Sequence, residues 1–224
     1  MAQPRIGIIF HGIGTPARTL EPGEAPYWIS KDHYASVLDL ICALPDLGKI
    51  RISFDDGNLS DLEIGLPLLL ERGLSADFFV LTGRIGKPGS LDGNHILALQ
   101  AAGMRIGSHG INHLKWSNLT PADLRSELQE SRGMLETICG RPVHSAGIPF
   151  GAYDAGVLRA LRAAGYTSVY SSDGGSMAAH GFLRPRSSIR TGMSMSYIQD
   201  LLAAKISLQW RIRHKISITR KQLF

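Results

Sequence analysis

Seven short apolar runs, separated by segments of helix length, constrain the fold of this chain more than any other feature. The runs cover residues 5–10, 50–54, 76–81, 104–107, 143–148, 166–170 and 182–189. In the segments between them, apolar side chains recur at the three- and four-residue spacing of amphipathic helices. Strands that alternate with helices in this way are typical of parallel βα units. The pattern therefore predicts an α/β fold with a parallel sheet.

Chemically reactive side chains follow three of these runs at the point where each run ends. Asp55 and Asp56 directly end the second run. His109 and His113 follow the fourth run, and the loop 149–151 follows the fifth. In parallel βα architectures the carboxyl ends of the strands gather on one face of the molecule. We therefore expect these three groups to converge on one site.

A metal ion would explain why the two acids stand side by side. Adjacent carboxylates repel each other, and the repulsion raises the pKa of one of them unless a cation lies nearby. Two imidazoles and one carboxylate, with an open position for water, are the ligands of catalytic zinc sites. Cobalt, nickel or iron would fit similar ligands. The histidine pair alone would favour a capping histidine and a surface one. Beside the two acids, the residues indicate a metal-dependent hydrolase with Zn²⁺ as the first choice.

The order of these motifs resembles that of a known family. Asp-Asp-Gly at 55–57, His-x-x-x-His at 109–113 and Ile-Pro-Phe-Gly at 148–151 are similar, in order and spacing, to the first three motifs of the polysaccharide deacetylases, carbohydrate esterase family four. The resemblance covers roughly residues 5–189. It implies a distorted (β/α) barrel with about seven parallel strands. It also implies removal of acetyl groups, N-acetyl above all, from an oligo- or polysaccharide in bacterial surface polysaccharide metabolism.

The resemblance further implies a role for each matching residue of the acid and histidine motifs. Asp55 would act as the general base. The metal would be held by Asp56, His109 and His113. The reaction implied is attack of metal-activated water on the acetyl carbonyl.

A substrate pocket is implied around the Pro-Phe-Gly loop. Pro149, Phe150 and Gly151 would wall the acetyl group, and the backbone N–H of Phe150 would stabilise the oxyanion. His11 ends the first run, so it would lie on the same face and line the pocket, with a hydrogen-bonded structural role as the alternative. Without the other motifs, the Pro-Phe-Gly sequence would be an ordinary turn.

Two departures from the family pattern bear on the chemistry. Many members carry an arginine two residues before the proline, where it orients the base, whereas this chain has Gly147. Arg186 is predicted to reach the same space from the last run and to serve catalysis there, with a solvated surface position as the alternative. A late Leu-x-Ile-x-x-His motif, whose histidine serves as general acid, is not found around residues 187–190. Two other functions therefore stay open: a catalytically weak saccharide-binding protein, and a related C–N hydrolase acting on a non-sugar amide.

Basic charge is concentrated at the end of the chain. The formal net charge is +5, and the last twenty residues contain no acid and six basic residues: Lys205, Arg211, Arg213, Lys215, Arg220 and Lys221. The rest of the chain is close to neutral, so no nucleic-acid partner is expected. We predict a catalytic domain over 1–204 and a basic tail over 205–224. The tail would contact anionic lipid, where each basic residue contributes about 1 kcal/mol, and a frayed terminus is the alternative.

The remaining composition concerns location and redox chemistry. No secretion signal is visible, and no apolar run approaches the ~20 residues that span a bilayer. The expected location is therefore the cytoplasm. A lipid contact of the basic tail would place the protein at the inner face of the membrane, where a lipid-linked saccharide would be a suitable substrate. Cys42 and Cys139 are too few for a disulfide framework, and both are expected to be buried.

Overall fold

The computed structural model describes residues 5–178 and 181–205, together with residues 219 and 221. Most of the predicted tail over 205–224, and with it the predicted lipid contact, lies outside the described residues. Across the ranges that are described, none of the helices combines the length and the apolar character needed to cross a bilayer.

Most of the strands lie in one largely parallel sheet, which forms a nearly closed barrel. The strands are β1 (Arg5–Phe10), β2 (Gly12–Ile13), β3 (Trp28–Ile29), β4 (Ile50–Asp56), β5 (Ala76–Val80), β6 (Arg105–Ser108), β7 (Ser145–Gly147), β8 (Ser168–Ser171), β9 (Ser176–Met177), β10 (Leu183–Pro185) and β11 (Ser187–Ser188). Around the barrel the order is β10, β8, β7, β6, β5, β4, β1 and β11, and every neighbouring pair is parallel. β9 pairs antiparallel with the first two residues of β1, Arg5 and Ile6.

One extended segment closes the barrel and explains why the predicted last strand is split. β10 pairs with β8, whereas β11 pairs with β1 on the other side of the gap, and Arg186 stands between the two short strands. The N–H of Arg186 donates to the Ser171 carbonyl (2.9 Å), and the N–H of Ile189 donates to the Ile9 carbonyl (2.9 Å). Because β10 and β11 belong to one extended segment, they count together as one strand of the barrel. The barrel then has seven strands. The predicted α/β barrel of about seven parallel strands is confirmed.

Helices fill the connections between the strands. They are α1 (Lys31–Cys42), α2 (Leu66–Leu70), α3 (Gly93–Ala101), α4 (Pro121–Cys139), α5 (Ala155–Ala163) and α6 (Met195–Leu202), with a π-helical turn at Asp61–Gly65. Five of them begin where a side-chain oxygen accepts the N–H three residues on, as helix N-termini require. The capping residues are Ser30, Asp92, Thr120, Asp154 and Ser194.

The last helix, α6, ends at Leu202, and Ala204 just beyond it adopts a left-handed conformation (φ 55°) that does not continue a helix. One expectation about the cysteines is wrong. Cys42 was expected to be buried, yet it is exposed in the last turn of α1, whereas Cys139 is buried as expected.

The interior of the barrel is filled by two aromatic rings and one arginine. Phe79, Tyr170 and Arg186 are buried there. Glycines make room for them: a Cβ on Gly7 would lie 2.7 Å from Cγ of Arg186, and a Cβ on Gly107 would lie 2.6 Å from the ring of Phe79. A side chain at either glycine would displace this packing. The glycines of the barrel wall thus leave room inside the barrel for the side chains of Arg186 and Phe79.

The segment between β1 and α1, residues 12–29, is held in place by backbone pairing and by side-chain contacts. It contains the parallel pair β2 and β3, and Gly12 is so close to Trp28 that an added Cβ would overlap the indole ring at 2.1 Å. Arg18 forms an ion pair with Glu24 and donates from Nε to the Asn58 side chain (3.1 Å). We call residues 12–29 the β1–α1 segment. It lies over the carboxyl end of the barrel.

Candidate metal centre

One cavity collects the groups that the sequence places at separate strand ends. It has a volume of about 390 Å³ and is lined by residues that include His11, Glu21, Tyr27, Asp55, Asp56, His109, His113, Lys115, Ile148 and Phe150. Asp55 and Asp56 end β4, and His109 directly follows β6. The convergence results from parallel strands whose carboxyl ends meet at one end of the barrel.

Three side chains in this cavity offer ligand atoms to one point. Oδ1 of Asp56 lies 3.4 Å from Nε2 of His109 and 3.5 Å from Nε2 of His113. The three atoms lie within 4.8 Å of one another. Oδ1 of Asp56 is buried and has no hydrogen-bond partner. Two imidazole nitrogens and a carboxylate oxygen facing each other around an unsatisfied buried oxygen fit a divalent cation of the zinc type.

Two of these ligands have an uncommon backbone conformation. Asp56 has φ 80° and His113 has φ 54°, in the left-handed region that side chains other than glycine rarely adopt. Successive side chains of a regular strand point to opposite faces, and the turn at Asp56 lets its carboxylate leave this alternation. Such conformations cluster at functional sites, where the surrounding structure imposes them.

Each imidazole is oriented by an acceptor on its other nitrogen. Nδ1 of His109 donates to the carbonyl of Gly147 (2.9 Å), and Nδ1 of His113 donates to Oε2 of Glu21 (2.6 Å). Because a carbonyl and a carboxylate only accept, these bonds assign the proton of each neutral ring to Nδ1. Nε2 of both rings is thereby left with a lone pair that faces Asp56, which is the arrangement a metal ligand needs.

The charges of the site follow from burial and from these contacts. Burial by itself would raise the pKa of the Asp56 carboxyl, but the three nearby imidazoles of His109, His11 and His113 hold that pKa well below its ordinary value. Burial lowers the pKa of His109, but the carboxylates of Asp55 and Asp56 outweigh it and raise that pKa. Asp56 is therefore ionised in a site that water barely reaches.

Asp55 is held by Arg186 in a two-point ion pair. Nη1 of Arg186 donates to Oδ1 (2.7 Å) and Nη2 donates to Oδ2 (2.9 Å), and Nη1 also donates to the Ser53 hydroxyl (2.7 Å). The guanidinium carbon lies 4.9 Å from the ring centre of Phe79 and 5.4 Å from that of Tyr170. Burial would raise the pKa of the Asp55 carboxyl, but the Arg186 charge lowers it overall. Arg186 is 0% exposed, so the alternative of a solvated surface arginine is wrong.

Gly147 lies in close contact with two buried rings. A Cβ built there would lie 3.1 Å from Nδ1 of His109 and 3.0 Å from the ring of Phe79, so a side chain at 147 would require one of these rings to shift. Arg186 reaches the same region from the closing segment, where its guanidinium carbon lies 4.9 Å from the ring centre of Phe79.

Of the four predicted substrate-binding residues, His11 and Phe150 line this cavity, whereas Pro149 and Gly151 are not among its lining residues. Phe150 has φ 57°, is 53% exposed, and stacks on the ring of His113 with centroids 4.3 Å apart. Pro149 and Gly151, on either side, are buried. His11 packs beside Tyr27 (4.8 Å between ring centres), its Nδ1 is buried without a hydrogen-bond partner, and burial lowers its pKa in spite of the nearby carboxylates.

Two acids at the site were missed from the sequence. Glu127 of α4 is buried and accepts hydrogen bonds from the backbone N–H of Ile111 (2.7 Å) and from the backbone and side chain of Asn112 (3.1 and 2.9 Å). It thus holds the loop between the two histidines. Its place on the apolar face of α4, next to Leu128, is a signal that could have revealed it. Glu21 gave no such signal, because it lies in an aperiodic polar segment.

Comparison with known proteins places these residues in a family context. The sequence profile described as polysaccharide deacetylase matches residues 45–169, more than half of the chain. The match includes both acids, both histidines and Pro149–Gly151, and it ends before Arg186. YxkH of Bacillus subtilis (strain 168), provisionally named a polysaccharide deacetylase, is 28% identical over 149 residues, covering 66% of this chain and 50% of that protein. The chain therefore spans about half the length of this relative.

Solved structures with the same fold share little sequence with this chain. Streptococcus pyogenes deacetylase PplD, determined in complex with acetate, superposes with a TM-score of 0.77 at 18% identity, covering 92% of this chain and 100% of that one. The de-N-acetylase from Aggregatibacter actinomycetemcomitans superposes with a TM-score of 0.74 at 15% identity, covering 89% of this chain and 100% of that one. At these identities the likeness establishes the barrel fold.

Proposed function

This chain belongs to the polysaccharide deacetylase family, and from that membership we propose that it removes acetyl groups from a bacterial oligo- or polysaccharide in a metal-dependent hydrolysis. The observation that carries the proposal is the buried Asp56 oxygen, unpartnered and faced by two imidazole nitrogens, with the Asp55 carboxylate beside it. N-acetyl groups are the preferred target. The name of the structurally similar de-N-acetylase supports this choice, and the acetate bound to the similar deacetylase PplD supports acetyl groups in general.

Asp56, His109 and His113 would hold the metal, with Zn²⁺ as the first choice and Co²⁺, Ni²⁺ or Fe²⁺ as others that accept these ligands. A bound divalent ion supplies Lewis acidity, which polarises a carbonyl and makes water acidic enough to ionise near neutral pH. The protein supplies the orientation: both imidazoles are fixed through Nδ1 before any ion arrives. Little rearrangement of the ligands would therefore be needed.

Asp55 would act as the base that takes the proton of the attacking water. Arg186 keeps this carboxylate ionised and fixes both of its oxygens, and each oxygen retains a second lone pair for the incoming proton. No late histidine stands in the region of residues 187–190. We therefore assign the return step to the same residue: Asp55 passes the proton to the departing nitrogen when the C–N bond breaks, and it is again ionised at the end of the cycle.

Phe150 and His11 would line the cavity that binds the substrate. The exposed ring of Phe150 stacks on His113 at the cavity mouth, where it would pack against the acetyl methyl or a sugar face. The N–H of Phe150 would donate to the oxygen that becomes negative during attack. His11 is a neutral imidazole with a free buried Nδ1, so it would offer a hydrogen bond to a polar group of the substrate.

Release of acetate from N-acetylated chitooligosaccharides tests this function. The metal-free protein is expected to be inactive and to release acetate once Zn²⁺ is added. Asp55→Asn is expected to abolish release while zinc is still bound, because the base is lost and the ligands are kept. Zinc-loaded protein that releases no acetate from any acetylated glycan tested would contradict the enzymatic function.

A saccharide-binding protein without appreciable turnover is the second candidate. The missing late histidine favours it, because no dedicated proton donor is then present for the leaving group. Calorimetric titration of the same oligosaccharides separates the two candidates. Binding without acetate release would support the second, and release with normal turnover would exclude it.

A peripheral membrane contact through the tail also stays a proposal, and with it the lipid-linked substrate and the location at the inner membrane face. It rests on the basic residues after 204. One of them, Lys221, instead donates to Oδ1 of Asp173 (2.6 Å) and to the carbonyl of Gly151 (3.1 Å). Sedimentation with phosphatidylserine vesicles is expected for the full chain and not for a chain ending at 204. Equal sedimentation of both would contradict the contact.

A further inference from the structure

The ring of His113 is oriented by a residue that lies outside the strands of the barrel. The ring lies at the end of the loop after β6, with a left-handed backbone (φ 54°). Its Nε2 faces Asp56, and its Nδ1 contacts a carboxylate oxygen of Glu21 at 2.6 Å. Glu21 is 92 residues away in the chain and belongs to the β1–α1 segment, outside the range that the family profile matches.

Glu21 is itself held from two directions. Its other carboxylate oxygen forms an ion pair with Arg84, in the turn that follows β5. Its backbone N–H donates to Oε2 of Glu24 (2.8 Å), and Glu24 is paired with Arg18. Arg18 in turn donates to the side chain of Asn58, two residues after the metal-ligating acid. The carboxylate that contacts His113 is therefore fixed relative to the strand end that carries Asp56.

We infer that Glu21 is a positioning residue for the metal centre, acting through His113. Its carboxylate holds the ring proton on Nδ1 and fixes the rotation of the ring, so that the Nε2 lone pair faces Asp56. A negative charge on the far side of the ring also makes Nε2 a stronger donor to a cation. This inference rests on the proposed metal dependence, and it adds a residue that neither the motifs nor the family match contains.

A purely structural ion pair is the competing explanation for Glu21. Such a pair with Arg84 would matter for the packing of the β1–α1 segment and not for the metal. The Glu21 side chain is 42% exposed, so its contribution to folding is small on this view. Metal affinity and the electronic spectrum of a bound ion distinguish the two explanations, because a structural pair would leave both unchanged.

Zinc titration of the metal-free protein against a chromophoric chelator provides the test. Glu21→Gln keeps an oxygen acceptor but removes the charge, and it is expected to raise the zinc dissociation constant about 10- to 100-fold. Glu21→Asp keeps the charge with a shorter reach, and an intermediate loss is expected. Glu63→Gln is the matched control: the same change at an exposed acid outside the cavity is expected to leave zinc affinity unchanged.

The visible spectrum of the Co²⁺-loaded protein supplies a second readout. Glu21→Gln is expected to shift the ligand-field bands, whereas Glu63→Gln is not. The thermal unfolding midpoint of each metal-free variant is measured first, to establish that all are folded. If Glu21→Gln binds zinc as the wild type does, with an unchanged cobalt spectrum, the inference is overturned and the proposed function survives. If the wild type itself binds no zinc, both fall together.

Discussion

The two imidazoles of the candidate metal centre are held by different kinds of structure. His109 follows β6 directly, is buried, and donates to a backbone carbonyl of the neighbouring strand, Gly147 of β7. His113 stands at the end of a loop and donates to the side chain of Glu21, in the β1–α1 segment. The first contact comes with the barrel itself, because sheet pairing fixes the carbonyl. The second depends on one side chain that could change without altering the barrel.

The same division separates the groups that stabilise the fold from those that tune the site. Asp55 and Arg186 form a buried ion pair inside the barrel, between Phe79 and Tyr170. Glu21 forms its contacts at the partly exposed rim. Substitutions on the barrel side should therefore lower the free energy of unfolding. Substitutions on the rim side should change metal binding while the fold is preserved.

Arg186→Met should have the largest effect on stability. It leaves the Asp55 carboxylate buried without a partner, which typically costs about 3–5 kcal/mol of unfolding free energy. Urea unfolding of the metal-free protein measures the loss. The double variant with Asp55→Asn should recover part of it, because no buried charge is then left unpaired. Arg159→Met, at an exposed arginine of α5, is the control and should have little effect. A similar stability for Arg186→Met and Arg159→Met would show that the buried Asp55–Arg186 ion pair does not matter for the stability of the barrel.

Glu127→Gln should have an intermediate effect, because this residue links the two sides. Its carboxylate accepts from the loop between the histidines at Ile111 and Asn112, and an amide cannot accept all of those hydrogen bonds. We expect a loss of about 1–3 kcal/mol in unfolding free energy, together with weaker zinc binding. Glu130→Gln, on the exposed side of the same helix, should show neither change. A destabilised Glu127→Gln with normal zinc affinity would mean that the loop does not set the ligand geometry.

Glu21→Gln should have the smallest effect on stability. Because the side chain is partly solvated, the unfolding free energy of the metal-free protein should change by less than about 1 kcal/mol. If this variant keeps its stability but loses zinc affinity, Glu21 acts on the metal site and not on the fold. A stability loss as large as that of Arg186→Met would show instead that the β1–α1 segment is part of the folding core.

The alternation of apolar runs and helical segments predicted a parallel α/β fold and the residues that follow strand ends, and the resemblance to the deacetylase family implied the barrel. Asp55, Asp56 and His109 stand where apolar runs stop, and parallel strands bring such positions to one face. Arg186 was accessible to prediction because Gly147 lacks the side chain that the family pattern expects. These features are local, or they depend on a regular sheet.

The remaining features depend on tertiary contacts that no local pattern records. Glu21 lies in a segment whose order comes from the close contact of Gly12 with Trp28 and from the pairing of Arg18 with Glu24, neither of which has a periodic signature. The division of the closing strand at Arg186 was also missed. It reflects pairing with two different neighbours, β8 and β1, which only the closed barrel defines.

Anomalous scattering from crystals of the zinc-loaded protein tests the candidate metal centre directly. We expect one strong peak at the zinc edge, about 2.0–2.2 Å from Oδ1 of Asp56 and from Nε2 of both His109 and His113, with the Asp55–Arg186 pair intact beside it. Absence of a peak at this point, or a peak held by other residues, would contradict a metal site at these three residues.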